Sequence, residues 1–458
     1  MINRTKLLLD LPQGVAEKAG IMLDIVDFVL EKISPENLIG DFFEKKDLSG
    51  FEKIAIFAIG KAARQMAKAS EKSLKKYHNR KPDIILLADE GHPLPTKAGL
   101  NKTKKIISSA KKLTKNDLAI VLISGGGSAM FVAPLTGITL NDEIKITNQL
   151  LKAGAPIQEL NTVRKQLSQV KGGHFAEILY PATVWGLVIS DVIGNDLSLI
   201  ASGPISSDKS TPQGALNILK KYKIEVPKKV LKILQERKAA KSKSSNTHKV
   251  PIASANGGSS LSPQSQIFKK VHVDIIADHF TALKVAEERA KELGLKVTSS
   301  KKLIQGEARK VAPTIIKKIK TKLGTDSKTS QKHIFIASGE TTVTCKGKGN
   351  GGRNQEFVLS GLKYLQAKNE FKKNTSADSA LSNYCILSIG TDGVDGICPE
   401  PIAGAIGHQA ILQSAQKQHL KIDDFLNRND SYTFFKKTNG LIKTGPTGTN
   451  LGDLIMIF

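Results

Sequence analysis

Five short apolar runs, each cut off at Gly or Ser, constrain the fold of this 458-residue chain more than any other feature. Ile54–Ile59 stops at Gly60, Leu118–Ile123 at Ser124, Val184–Ile189 at Ser190, Ile334–Ala337 at Ser338 and Tyr384–Ile389 at Gly390. Short runs rich in β-branched residues, stopped this abruptly, look like strands buried on both faces, as in a parallel sheet covered by helices. Helical patterns at Lys61–Tyr77 and Thr103–Leu113 separate the early runs, which gives the β-α-β alternation of a doubly wound sheet. The chain is too long for one core and predicts two domains. The expected class is α/β, with an N-terminal Rossmann-like doubly wound parallel sheet over 1–238, a basic linker or loop region over 239–270, and a second, smaller α/β domain over 271–458.

The linker reading rests on Pro227–Lys249, which starts as a short helix and carries no apolar residue between Ala240 and Lys249. A strand at Val271–Ala277, a helix at Thr281–Leu293 closed by Gly294 and a strand at Leu295–Thr298 then open the second unit. The polar stretch Ala367–Asn383 reads as an exposed excursion.

Three cysteines (Cys345, Cys385, Cys398) without paired spacing argue against a disulfide framework and a cysteine zinc site. The N-terminal apolar run, Leu7-Leu8-Leu9, is too short for a signal peptide, and no stretch reaches the roughly 18 apolar residues that span a bilayer. A cytoplasmic protein without membrane association is expected. Net charge is +26, from 68 basic and 42 acidic residues, which raises nucleic-acid binding. Aromatics are only 5% and the lysines are scattered along helix faces, so solvation and attraction of small anions is the better reading, with no nucleic-acid partner.

Ligands of open α/β sheets collect beyond the carboxyl ends of the strands, and the unusual residues of this chain fall there. Gly60-Lys61-Ala62-Ala63 predicts a lysine in the first turn of a helix, where an anion meets both the ammonium and free N–H groups; alone, Lys61 reads as a surface helix lysine. The position five residues before Gly60 is Ala55, so this is not a Walker A loop. Ser124-Gly125-Gly126-Gly127-Ser128 carries three glycines where a tight turn needs one or two, whereas close approach to a phosphate needs several bare amides. Asp191, Asn195 and Asp196 follow a strand and suit Mg²⁺, although turn and helix capping is the commoner role of such residues. Gly390–Gly396, with Asp392, repeats this pattern without the spacing of a calcium loop. Gly347–Gly352 formally contains G-x-G-x-x-G, weak evidence for a dinucleotide because no acidic residue ends a following strand at the right distance. Arg353, directly after these glycines, is placed to open a helix and grip a phosphate through two nitrogens, or simply to face solvent.

These segments together resemble the glycerate 2-kinases, which are built from an N-terminal glycerate-kinase domain and a C-terminal MOFRL domain. The resemblance runs through Gly60–Ala63, Gly91-His92-Pro93-Leu94-Pro95, Ile123–Met130, Asn161–Lys165 with Lys171-Gly172-Gly173, Ile189–Asp196 and Ala201–Pro204. It continues through Ser338–Thr342, Gly351–Glu356, Gly390–Gly396 and Thr444–Asn450, with the MOFRL domain expected at about 330–450. The resemblance implies ATP-dependent phosphorylation of D-glycerate to 2-phosphoglycerate with Mg²⁺, and two α/β domains with a cleft between them. It implies Lys61 and Arg353 as catalytic cations, Ser124–Ser128 as an anion-binding turn, and Asp191, Asn195 and Asp392 as metal or nucleotide residues. Family members have also been labelled hydroxypyruvate reductase. Ala239–Lys249, Ala367–Asn383 and Asp278-His279-Phe280 depart from the family pattern.

Phosphoryl transfer requires positioning and charge neutralisation more than covalent help. The expectation is that Lys61 and Arg353 flank the γ-phosphoryl from opposite domains, while Arg164, Lys165 and Lys171 add charge for the substrate carboxylate. The partners are the small molecules D-glycerate and ATP, with a homodimer as a candidate assembly. The rival reading, an NAD(P)H-dependent hydroxypyruvate reductase, needs a dinucleotide fingerprint and a general acid such as His92 or His174.

Overall fold

The computed structural model describes residues 2–247, 263–323, 332–367 and 384–458. Its strands are β1 (Ile54–Ile59), β2 (Ile84–Ala88), β3 (Leu118–Ile123), β4 (Thr183–Ile189), β5 (Val271–Ala277), β6 (Lys296–Ser299), β7 (Ile304–Glu307), β8 (His333–Thr342), β9 (Ile386–Gly390), β10 (Gly404–Gly407), β11 (Leu441–Ile442) and β12 (Asp453–Ile457). They form two sheets in two compact units, residues 39–276 and residues 1–38 with 277–458.

The first sheet has the order β2-β1-β3-β4-β5, with β1 to β4 pairing in parallel. Every residue of β1 and β3 is buried, as their unbroken apolar runs require. Phe57 and Phe131 pack edge-on against Phe175, at ring-centre distances of 5.7 and 4.9 Å. Successive strands are added on opposite sides of β1, so the topological switch lies between β1 and β3. Ile59 pairs with Ile123 and Ile123 with Val188, which brings Gly60, Ser124 and the start of the Ser190–Asp196 segment to one edge.

The second sheet is mixed, in the order β11-β10-β9-β12-β8-β6, with β7 also beside β8. Strand β12 runs antiparallel between β8 and β9, with Asp453 opposite both Gly339 and Gly390. The beginning of β12 therefore lies beside the carboxyl ends of β8 and β9, which is why Ser338–Thr342, Gly390–Gly396 and Asp453 meet.

Three boundaries differ from the expected ones. Residues 1–38 belong to the later unit, because the apolar face of the helix Gln13–Lys32 packs there, where Arg289 also pairs with Asp24 at 2.8 Å. β5 completes the first sheet instead of opening the second. The expected linker at 239–270 is helical at both described ends, within Lys228–Thr247, whose Val230 and Leu234 are buried, and at Pro263–Lys269, whose Ile267 and Phe268 pack against the core of the first sheet. Residues 248–262 and the excursion at 368–383 lie outside the described residues. Asp278 caps the helix His279–Glu292, accepting from the amides of Phe280 and Thr281, so this departure from the family pattern is a helix start.

Candidate functional site

The glycine loop is stitched to the end of β1. Lys61 N donates to Gly125 O at 2.9 Å, Ala62 N to Ser124 Oγ at 3.0 Å, and Ser124 N to Ile59 O at 2.9 Å. Gly60 has φ of +108°, and a Cβ there would lie 2.5 Å from Ser124 O, so only glycine fits. Its own amide and that of Ala63 are also used, on Ala88 O and Gly60 O. The free N–H groups expected at Gly60–Ala63 are therefore consumed within the protein. Lys61 itself precedes the helix Ala63–His78, and its exposed side chain donates to no protein acceptor among the described residues.

The open amides lie on the opposite side of the turn. Gly126, with φ of +81°, leads into the one-turn helix Gly127–Met130, whose first N–H groups have no partner within so short a helix. Each glycine has a different neighbour. A Cβ at Gly125 would lie 2.2 Å from Asp191 Oδ2, at Gly126 3.0 Å from His92 Cδ2 and 3.3 Å from Lys61 Cγ, and at Gly127 2.7 Å from Ala201 Cβ. Lys61, His92, Asp191 and the glycine amides thus form one cluster at the switch point. His92 lies in the Gly91–Pro95 segment of the resemblance, but a chemical role was expected of it only in the rival mechanism. Partial burial, then the charge of Lys61, lower its pKa against the pull of Asp191, so its imidazole is neutral at neutral pH.

Ser128 Oγ lies 2.9 Å from Ser202 Oγ, which donates to Asn161 Oδ1 at 3.1 Å. Ala201, Ser202 and Gly203 are consecutive residues with positive φ, an unusual backbone that recurs at binding sites. Arg164 lies one turn beyond Asn161 on the helix Ile157–Gln166; burial weighs against its charge, and Glu143 partly offsets this. Lys171 is wholly buried, donating to Phe131 O at 3.1 Å and pairing with Glu143 at 3.5 Å, so its charge is engaged inside the protein. Lys165 is likewise buried, on Asp208. Asn195 adopts φ of +55° in the turn after Asp191.

In the later unit, Arg353 opens the helix Arg353–Ala367, as expected. The buried Asp395 carboxylate takes the amides of Asn354 and Gln355 at 3.0 and 2.9 Å, so the first free amides of this helix are used within the protein. Burial pushes the Asp395 carboxyl up to about 6 despite these hydrogen bonds, and Asp453 adds to the rise. Asp392 accepts from Val394 N at 3.0 Å in the loop Gly390–Gly396. That loop interlocks with Thr444–Asn450 through Thr447 Oγ1, which donates to Thr391 O at 2.6 Å.

The formal G-x-G-x-x-G is filled by protein. A Cβ at Gly347 would lie 2.1 Å from Arg428 O, at Gly349 2.4 Å from Asp430 Cβ, and at Gly352 2.3 Å from Asp395 Oδ1. These glycines admit the chain's own segments 395 and 428–431 rather than a pyrophosphate. Among the described residues no three His, Cys, Asp or Glu side chains are grouped to hold a metal, and no helix is long and apolar enough to cross a membrane.

A parallel sheet whose strand-end loops gather Lys61, His92 and Asp191, followed by a mixed α/β unit with Arg353 at a helix start, defines a two-unit α/β class. In agreement, residues 21–235 match a family described as a domain of unknown function, DUF4147, and residues 333–453 match the MOFRL family. The chain is 35% identical to the D-glycerate 2-kinase of Thermotoga maritima over 95% of its own length and 97% of that protein. The crystal structure of a Thermotoga maritima glycerate kinase superimposes with a TM-score of 0.78 at 33% identity, covering 96% of this chain and 98% of the other. A putative hydroxypyruvate reductase of Agrobacterium vitis is 35% identical over 81% of this chain and 87% of its own. The chain belongs to the glycerate 2-kinase family.

Proposed function

We propose that this protein transfers the γ-phosphoryl group of ATP to D-glycerate, giving 2-phosphoglycerate and ADP. The observation that carries the reading is the convergence of Lys61, the open amides of the glycine loop and Asp191 at the switch point of the first sheet, in a chain so similar to a D-glycerate 2-kinase.

Transfer through a loose transition state spreads negative charge over three equatorial oxygens, and fixed positive groups stabilise it. Lys61 supplies a mobile ammonium and Arg353 a planar guanidinium for this purpose. The amides of Gly126, Gly127 and Ser128 hold an anionic group, either phosphate or the substrate carboxylate, with Arg164 adding charge beside them. Lys171 acts from inside: its bond to Phe131 O fixes the segment that leaves the loop. Asp191 is the residue for Mg²⁺, which takes few protein carboxylates when phosphates and water complete its shell; bound there, the ion would neutralise phosphate charge. Asn195, in the turn after Asp191, and Asp392, in the later unit, are the remaining candidates for metal or nucleotide.

The reductase reading is disfavoured by the glycines at 347–352, whose α-carbons are covered by protein. The decisive experiment offers the protein D-glycerate, ATP and Mg²⁺ and follows ADP, with hydroxypyruvate and NADH in parallel. Direct coupling to enolase, without a mutase, identifies 2-phosphoglycerate as the product. NADH oxidation without ADP formation would reverse the assignment.

A further inference from the structure

Arg353 is held on two sides. Its Nε donates to Asp453 Oδ1 and Oδ2 at 2.8 and 3.1 Å, and its Nη1 lies 2.7 Å from Glu340 Oε1. Nη2 meets no protein acceptor among the described residues, while the side chain remains 31% exposed. The two anchors stand on adjacent strands, Glu340 on β8 and Asp453 on β12. Asp453 is fully buried and is itself fixed by Thr341 N at 3.1 Å and Asn354 Nδ2 at 2.9 Å. Burial opposes the charge of Arg353, and the two carboxylates more than reverse that effect.

An unrestrained arginine carries about 2 kcal/mol of rotamer entropy, which ordering on a ligand would cost. Here that ordering is already present, and it has a direction. Nε and Nη1 are spent on carboxylates rooted in the sheet, and Nη2 is left over. We propose that Asp453 and Glu340 are positioning residues that turn Arg353 so that Nη2 meets the anionic oxygens of the ligand. The glycerate-kinase reading enters only in saying that this ligand is a phosphoryl group in transfer.

The test is a pair of double-mutant cycles. Glu340→Gln, Asp453→Asn and Arg353→Ala are made singly, and each carboxylate variant is combined with Arg353→Ala. kcat/KM with D-glycerate and ATP and the affinity for pyrophosphate, by calorimetry, are measured for all. Each carboxylate variant is expected to lower kcat/KM by up to about a hundredfold, the scale of a displacement of order 1 Å at an aligned group. Neither should add an appreciable further loss once Arg353 is gone. Equal losses in the presence and absence of Arg353 would show a merely structural role and overturn the proposal. Glu340 is partly exposed, so Glu340→Gln is expected to fold and keeps the test sound even if Asp453→Asn does not. Wild-type protein inactive on D-glycerate would sink the kinase reading instead, and the pyrophosphate cycle would still decide the positioning.

Discussion

The Asp191 carboxylate rests on the α-carbon of Gly125 so closely that a methyl group there would lie 2.2 Å from Oδ2. The first glycine of the loop is thus required by a neighbouring acid, the second by a left-handed backbone beside His92 and Lys61, and the third by Ala201. One sequence pattern serves three different contacts.

Gly125→Ala must displace Asp191, since the clash is with a side-chain end rather than with backbone. Overpacking of this kind costs about 1–3 kcal/mol of stability, and misplacing a ligand-side carboxylate lowers kcat/KM by up to about a hundredfold. Steady-state kinetics beside thermal unfolding separate the two effects. Unchanged kinetics would show that Asp191 needs no fixed place.

Lys61→Ala and Arg353→Ala remove the cations proposed to act on the transition state, so each should raise the barrier by about 2–4 kcal/mol, mainly through kcat. Near-normal kcat in both variants would remove them from the mechanism.

Lys171→Met removes the cation paired with the buried Glu143, leaving it only the attraction of Arg164, and should destabilise by about 3–5 kcal/mol. Adding Glu143→Gln should recover a large part of that loss, measured by urea unfolding. Equal stabilities for the single and double variants would mean that the pair is not coupled.

His408 starts the helix Gln409–Lys417 and is buried, which lowers its pKa to about 4 from 6.5. The unfolded chain then binds more protons, so this group's contribution is complete above 6.5 and is lost as pH falls towards 4, by roughly 3 kcal/mol at most. Asp395, raised to about 6 from 3.8, acts in the opposite sense, its contribution falling as pH rises through that interval. His408→Asn, a neutral residue favoured at helix starts, isolates the first effect: its unfolding free energy should lose less between pH 7 and pH 4 than that of the wild type. Parallel profiles would refute it.

The apolar runs at Ile54–Ile59 and Leu118–Ile123 gave their strands residue for residue, because a strand buried on both faces needs every side chain apolar. β2, at the sheet edge with partly exposed residues, is also an unbroken apolar run, Ile84–Ala88, but it ends at Asp89 instead of Gly or Ser and so falls outside the pattern of the five runs. The chain's own order of residues determined the strand-end loops and their reactive groups, since turn glycines, lysines and acids are legible one at a time. Only the tertiary structure decided which of those groups stay open at a strand end and which are spent inside the protein. Lys61 keeps an ammonium without a protein partner among the described residues, while Lys171, equally basic in sequence, is sealed against Glu143 and Phe131. Asp453 appeared in no motif reading of Arg353, because the two are joined by β12 lying between β8 and β9, a pairing across 100 residues that local pattern does not encode. Burial and long-range pairing set the role of a charge, and both are properties of the folded chain.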